Sequence, residues 1–509
     1  MEPLAGERGP DLATDQTELP HAGKLHAGAL SLIGNVGLDI GSSAVTASMA
    51  VTIGAIVVVS GYASPIAILI CGLPMLGIAA AYRRLGKWRV HCGATYDWGA
   101  RSIGPPYGFM VGWIIWLAYV VGAVSIIIPL GPYFLSFIGH NVNSRLGEAV
   151  IGFIGTVVVF GVALIGVRIS ARVQWTLLAI ELIGVAVLVV YALVAIATRG
   201  HGAVGFTPGW FSWHEMGGAS GFVAAALISV YIYSGWDAGM LLGEETRHPR
   251  RWPGAAAMIS VVALAVVFAL LTFSFQAAAP LKGIESHSNV LEYIAQRLAG
   301  GWLAKWVVLG VALSALGSTL ACVVASARMG FAMGSDGVLP RILGRTSSRF
   351  KTPVAATVIV GVLAAAGAWL YPLGSSTVQT SFSKIVSVDG ILYALFYVGT
   401  GIAVAVYYRR LALGGAWSFV QVGVFPVVSS AFLLYIVVKS VPGLGGWTSE
   451  DLISLYVMLG IGVLLLIYGY VAKTSDFFRI RREVFDPRQA ALAEAGLGTT
   501  QRIGTSVGT

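Results

Sequence analysis

The 509-residue sequence is 57% hydrophobic and only 11% charged, with a formal net charge of +9. A water-soluble chain carries roughly 25% charged residues, so most of this one never meets water and a soluble catalytic or binding domain is excluded. The positive charge is split among short loops rather than gathered on one domain, which argues against a nucleic-acid partner.

Residues 1 to about 27 are polar, rich in Gly, Pro and Asp, and carry no cleavable signal pattern. They read as a disordered cytoplasmic tail. About twelve apolar segments follow, each near the ~20 residues a membrane helix needs: 30–58, 64–84, 105–138, 148–167, 171–198, 219–244, 253–279, 302–333, 353–371, 383–408, 416–439 and 451–472. The expected fold class is therefore an all-α membrane protein, with the lipid bilayer as its solvent. In 105–138 the helix is expected to stop at Pro129 and Pro132. Trp210 and Trp213, in the loop 199–218, read as interfacial anchors. In the loop 280–301, Val290, Tyr293, Ile294 and Leu298 have helical spacing and predict a short helix across the outer surface. The segment from about 476 to 509 reads as a second disordered tail.

Basic clusters follow the even-numbered segments: Arg83, Arg84, Lys87 and Arg89; Arg168 and Arg172; Arg247, Arg250 and Arg251; Arg341, Arg345, Arg349 and Lys351; Arg409 and Arg410; Lys473 to Arg482. Loops after odd-numbered segments are poorer. This positive-inside pattern predicts a multi-pass protein of the plasma or inner cell membrane with both termini in the cytoplasm. No P-loop, dinucleotide fingerprint or GxSxG motif occurs, so no cofactor and no enzymatic activity are expected. Cys71, Cys92 and Cys322 lie far apart without metal spacing and read as small apolar fillers, so no metal is expected. The histidines fall in tails and loops, which leaves proton chemistry inside the membrane to carboxylates.

Two segments are interrupted. The first carries Gly41, Ser42 and Ser43 in mid-run. The sixth, SVYIYSGWDAGMLLGEETRHPRRWP from Ser229 to Pro253, breaks at Ser234-Gly235. Paired interruptions at corresponding places in two halves point to a binding site. Unwinding frees backbone N–H and C=O groups, and a half-helix N-terminus offers a positive dipole end to a carboxylate. Freed carbonyls suit an ammonium group or a cation, so the pair matches an amino acid's two ends. The alternative is glycine for helix packing alone.

Three acids lie deep: Asp39, Glu181 and Asp237. An intramembrane acid defaults to a functional role, as proton carrier or as ligand for Na⁺ or a cationic substrate. Asp39 is expected to point at the cavity or to cap the broken helix. Glu181 has Arg172 as its alternative partner. Asp389 with Lys384 reads as an interfacial ion pair or an outer gate. Ser314, Ser318 and Thr319 offer hydroxyls for a cation site or simply bond their preceding turns. Trp116 and Tyr119 are candidates to pack on a substrate side chain, or are core.

YSGWDA followed by GEETRHPRRWP, with SALGSTLACVVASARMGFAMGSDGVLPRIL (Ser314 to Leu343) and VGLDIGSSAV (Val36 to Val45), resembles the amino acid–polyamine–organocation (APC) transporters, over about residues 28–475. The resemblance implies a leucine-transporter-like fold: inverted repeats over about 28–198 and 219–408, plus two helices over 416–472. It implies a substrate held between Ile40, Gly41, Ser42, Ser43 and Ala44 on one side and Tyr231, Tyr233, Ser234, Gly235 and Trp236 on the other. Asp237 falls where some relatives keep a Glu tied to proton-dependent gating. Glu181 falls at about the place of a Lys that stands in for sodium in some relatives, so proton and sodium coupling both stay open. Asp39 departs from the motif and suggests a cationic substrate. The implied function is secondary transport of an amino acid or amine by alternating access, with proton symport ahead of exchange and of sodium symport. A nutrient sensor or a channel of the same fold are the rival classes.

Overall fold

In the computed structural model, the described residues are 19–140, 144–200, 203–206, 210, 212–287, 289–374, 378–413, 415–441, 446, 449–472 and 475–485, excluding the side chains of 374–384, 450 and 451. Their regular secondary structure is helical, with one isolated backbone bridge, between Leu30 and Thr246. In lipid every backbone polar group must find its partner within the chain, so apolar runs of this length fold as helices.

The first crossing is broken into α1 (Leu32–Ser42) and α2 (Val45–Ser60). The Ser31 hydroxyl caps α1 by accepting the Gly34 N–H at 3.0 Å. Next come α3 (Ser64–Trp88), a short α4 (Thr95–Ser102), α5 (Pro105–Ile127) and α6 (Leu130–Phe137). The interruption between α5 and α6 falls at Pro129, as its fixed φ and missing N–H require. Then follow α7 (Arg145–Ile165), α8 (Val167–Thr198), α9 (Gly218–Ile232), a 3₁₀ stretch (Ala238–Glu245) and α10 (Trp252–Ala278). After α11 (Leu281–Ser286) and α12 (Val290–Ala299), the chain makes α13 (Gly301–Ser335), α14 (Val354–Gly374), α15 (Val378–Tyr407), α16 (Phe425–Ser440) and α17 (Glu450–Val471).

Ten stretches of the described residues are long and apolar enough to cross a membrane. The first, Leu32–Trp88, is 57 residues long. At 1.5 Å per residue that is about 85 Å of helix, so it holds two crossings of a ~30 Å core. With α9 and its 3₁₀ continuation as a further interrupted crossing, the expected twelve segments are accounted for. Of the apolar windows of α5 and α13, 83% is buried, against 22% for α17. The first two are thus inner helices and the last is peripheral. Large apolar side chains are exposed on α7, α8, α10 and α17, such as Phe153, Val190, Val266 and Leu464. That is the surface lipid would cover.

Several expectations are corrected. The N-terminal tail ends earlier than residue 27, because His21 and Leu25 are buried. Residues 1–18 lie outside the described residues. The C-terminal tail begins later than 476: Phe477 is buried and stacks on Tyr96 at 4.5 Å, and 486–509 lie outside the described residues. Trp210 is not an interfacial anchor, since it is buried and stacks on Tyr62 at 5.5 Å. Trp213 is 55% exposed. The surface helix predicted over the loop 280–301 is α12, with Val290, Ile294 and Leu298 inward.

The described segments at both ends of the chain meet at one face of the bundle. Lys351 Nζ donates to the Gly23 carbonyl, and the Glu483 N–H donates to the Arg101 carbonyl. The basic loops after α3, α13 and α15 gather there, and this face is called the basic end below.

Candidate functional site

The two broken crossings touch at their breaks. Between α1 and α2, Ala44 takes φ +48°. Between α9 and the 3₁₀ stretch, Gly235 takes φ +91°. A Cβ on Gly235 would stand 2.6 Å from Ser42 Oγ and 3.0 Å from the Ser42 carbonyl carbon, so glycine is required by both conformation and contact. Around this meeting point lies a small, narrow cavity. Ser42, Ser43, Ala44 and Ser48 form one wall, and Tyr231 and Ser234 the wall of the sixth crossing. Gly122, Ser125 and Ile126 of α5, Ser318 and Cys322 of α13, and Asp389 and Tyr393 of α15 complete it.

The structure thus brings Ser42, Ser43, Ala44, Tyr231, Ser234 and Ser318 together. The Ser42 carbonyl freed by the break accepts from Ser318 Oγ at 2.6 Å. Other predicted residues stand outside the lining. Gly41 is pressed against the Gln174 amide, where a Cβ would overlap it, and half-buried Ile40 packs on the core. Tyr233 donates to the Ile68 carbonyl at 3.1 Å. Trp236 stacks on Tyr397 with ring centroids 5.1 Å apart. Trp116 packs on Trp113 at 5.2 Å, and Tyr119 meets Tyr393 edge-on at 5.6 Å. Thr319 bonds its own helix at the Ala315 carbonyl.

The three deep acids separate. Glu181 of α8 does not pair with Arg172. Its Oε1 accepts the Thr46 N–H at 2.6 Å, the Thr46 hydroxyl at 3.0 Å and the Ser314 hydroxyl at 2.7 Å. A carboxyl from one helix thereby caps the N-terminus of α2 and ties it to α13, where the half-helix dipole favours negative charge. Glu181 also lines a second cavity, with Leu188, Leu291 and Trp306. Asp39 neither faces the first cavity nor caps its own helix. Its Oδ1 accepts the Gly239 N–H at 2.6 Å, fastening α1 to the sixth crossing beyond its break. Asp237 is held by the Tyr397 hydroxyl at 3.0 Å and the Tyr82 hydroxyl at 3.3 Å.

Asp389 is the residue that sequence reasoning misplaced. It is not interfacial: it is fully buried and lines the cavity. Its Oδ2 accepts from Ser125 Oγ at 3.2 Å. The Lys384 side chain lies outside the described residues. Tyr393, four residues on, reaches the same cavity because i and i+4 share a helix face. That spacing, Asp-x-x-x-Tyr in an apolar run, was the available signal.

The basic end is closed by buried polar pairs. Residues 19–30 form a strap across it, with Leu30 bridged to the sixth crossing through Leu30 N–H to the Glu245 carbonyl and Arg247 N–H to the Leu30 carbonyl. Glu244 accepts from the His21 N–H at 3.1 Å and the Cys92 N–H at 2.8 Å, and its Oε1 lies 3.0 Å from His21 Nδ1. His21, His91 and Glu244 place ligand atoms within 4.8 Å of one another, a set of the kind that suits zinc. Both Glu244 oxygens already accept hydrogen bonds, so here the group acts as a latch. Beside it Glu245 accepts from Arg328 Nε at 2.8 Å and Nη2 at 3.3 Å.

Cys92 lies under this strap in a small cluster with Leu25, Phe331 and Ala332. Truncating a buried leucine costs roughly 2–5 kcal/mol. Leu25→Ala is therefore expected to speed maleimide labelling of Cys92 about tenfold or more while leaving buried Cys322 unchanged, read residue by residue by mass spectrometry. Equal labelling rates would mean that the strap does not cover Cys92.

Comparison with known proteins agrees with this architecture. The family described as amino acid permease matches residues 30–464. The branched-chain amino acid permease BcaP of Bacillus subtilis is 22% identical over 87% of this chain and 92% of its own length. The methylthioribose transporter of the same species is 26% identical over 69% of this chain and 76% of its own. The human cationic amino acid transporter 4 is 26% identical over 68% of this chain and 54% of its own. A match spanning most of the chain, on a helical membrane fold with two interrupted crossings around a polar cavity, has one reading: the chain belongs to the amino acid permease family of the APC superfamily, and is a multi-pass amino acid transporter rather than an enzyme.

Proposed function

We propose that this transporter accumulates its amino acid by alternating access, driven by proton symport, with Glu181 as the coupling group. The observation that carries the reading is the placement of Glu181. One carboxylate oxygen takes three donors from α2 and α13, so its charge state sets how tightly the two helices are joined. Among the described residues no cation is paired with it. Deprotonated, Glu181 accepts from the Thr46 amide and both hydroxyls. Protonated, it loses charge-assisted bonds and loosens that junction. A proton taken from one side can thus be linked to movement of the broken helix that borders the substrate cavity. Opening at the basic end requires the strap to part from Glu244 and the Arg328–Glu245 pair to separate.

The substrate carboxylate is assigned to the break at Ser42, Ser43 and Ala44, and its ammonium to the face of Tyr231 and Ser234. Similar proteins are named for branched-chain amino acids, cationic amino acids and methylthioribose, a range that leaves the side-chain class to the cavity itself. The gathering of basic loops at the end where the described segments nearest the two termini meet supports a cell-membrane protein with that end in the cytoplasm.

The test is uptake into proteoliposomes with an inward proton gradient or an inward sodium gradient imposed separately. Accumulation is expected under the proton gradient alone. Glu181→Gln is expected to lose gradient-driven accumulation, by about tenfold or more, and to keep counterflow against internal substrate. Accumulation under sodium alone would sink the proton reading and assign the Glu181, Thr46 and Ser314 oxygens to a cation. Gradient-driven uptake that survives Glu181→Gln would remove Glu181 from coupling.

A further inference from the structure

The charges in the cavity do not balance for a neutral amino acid. On the assignment above, the zwitterion's own ends are matched by the broken crossings: the freed backbone at Ser42, Ser43 and Ala44 takes its carboxylate, and the C-terminal ends of α1 and α9 take its ammonium. Asp389 is left over. It is 1% exposed, and Ser125 satisfies only its Oδ2. Its Oδ1 has no hydrogen-bond partner. No Lys, Arg or His is among the lining residues. The other polar groups of the wall are hydroxyls and a thiol, which donate hydrogen bonds but carry no positive charge.

Beside Asp389 there is room for one small group. Gly122 of α5 lies directly opposite, and a Cβ there would come within 3.6 Å of Asp389 Oδ2 and 3.4 Å of the Tyr393 hydroxyl. The missing side chain leaves a notch beside the carboxylate. A charge removed from water and left unpaired costs several kcal/mol, which a partner of opposite sign offsets when it also satisfies the free lone pairs.

Resting on the reading of this cavity as the substrate site, we propose that Asp389 selects an α-amino acid with a positively charged side chain. The side-chain cation comes from the cavity and bonds Asp389 Oδ1. The cationic preference that the sequence attached to Asp39 thus belongs to Asp389, since Asp39 is engaged with Gly239 outside the cavity.

The experiment uses the full-length protein in proteoliposomes. Counterflow of L-lysine is compared with that of L-norleucine, which has the same carbon chain without the charge, and L-arginine and L-leucine serve as a second pair. Truncating one partner of a buried charge pair costs about 2–5 kcal/mol, so wild type should favour lysine over norleucine by about thirtyfold or more. Asp389→Asn keeps the Ser125 bond and should collapse that ratio towards one. Asp389→Glu should restore much of it. The readout is the ratio, which a uniform loss of folded protein does not move. A wild type that prefers norleucine overturns the proposal outright, whatever the variants do. So does an Asp389→Asn protein that loses both substrates equally while running as a monodisperse peak, because that marks a general rather than selective role. Failure of the wild type to move any amino acid would instead sink the substrate-site reading on which the proposal rests.

Discussion

Arg328→Met is expected to lower the unfolding free energy by about 3–5 kcal/mol, the usual cost of leaving one member of a buried ion pair alone. Both side chains are 1% exposed, and the guanidinium meets Glu245 through two nitrogens. Arg328 also donates to the Val324 carbonyl of its own helix, so it is fixed before the pair forms. Removing it strands Glu245 inside the bundle, at the point where the strap residue Leu30 is bonded to the same backbone. Glu245→Gln should cost about as much, because it leaves the guanidinium with a neutral partner. The double variant Arg328→Met/Glu245→Leu should recover most of the lost stability, since apolar side chains of similar volume replace a buried pair at little net cost. It should not recover transport if access alternates as proposed above, because the pair would then open and re-form with the basic end, whereas an apolar contact has no matching open state in water. Unfolding of detergent-purified protein and counterflow in proteoliposomes check the two halves separately. Wild-type stability in the single Arg328→Met variant would show that the pair carries no net energy.

Why the crossings could be read from the sequence and parts of the site could not is a matter of range. A crossing is a local property: about twenty apolar residues have one solution in lipid. The breaks are also local, since Gly41, Ser42, Ser43 and Ser234-Gly235 interrupt apolar runs with small or polar residues. What Glu181, Asp39 and Asp389 touch depends on how their helices are rotated about their axes. Arg172 lies on the same helix as Glu181, yet the partners are Thr46 and Ser314, more than a hundred residues away in either direction. Asp389 looked interfacial because Lys384 is near in sequence, while its true neighbour Ser125 belongs to α5. The strap at His21 was invisible for a different reason. A dozen residues, Leu19 to Leu30, that mix small, apolar and polar types without periodicity give no sign that one of them ends beneath the bundle. Arg328 sat unremarked in a small-residue run, although a lone arginine deep in an apolar helix implies an acid facing it, and Glu245 was in plain view.

Gly235→Ala is expected to reduce transport by about 5–150-fold while leaving a folded, membrane-inserted protein. Two costs combine. The backbone at φ +91° suits glycine, and a side chain there adds roughly 1–3 kcal/mol of strain. The new methyl would also stand 2.6 Å from Ser42 Oγ and 3.0 Å from the Ser42 carbonyl carbon. The hydroxyl can swing aside, but the carbonyl carbon is backbone, so relief requires the two breaks to separate. Ser42 cannot yield without disturbing the bond from Ser318 to its carbonyl, and both residues line the cavity. An energy of 1–3 kcal/mol applied to one arrangement of the site corresponds to the range of 5–150-fold. The folded core should survive, because the strain acts where the helices are already unwound. Gly161→Ala on α7, where a Cβ meets nothing within 4 Å, is the matching control and should transport normally. If Gly235→Ala matches that control in counterflow and in substrate binding, the two breaks do not form one site, and the cavity between them has to be assigned another role.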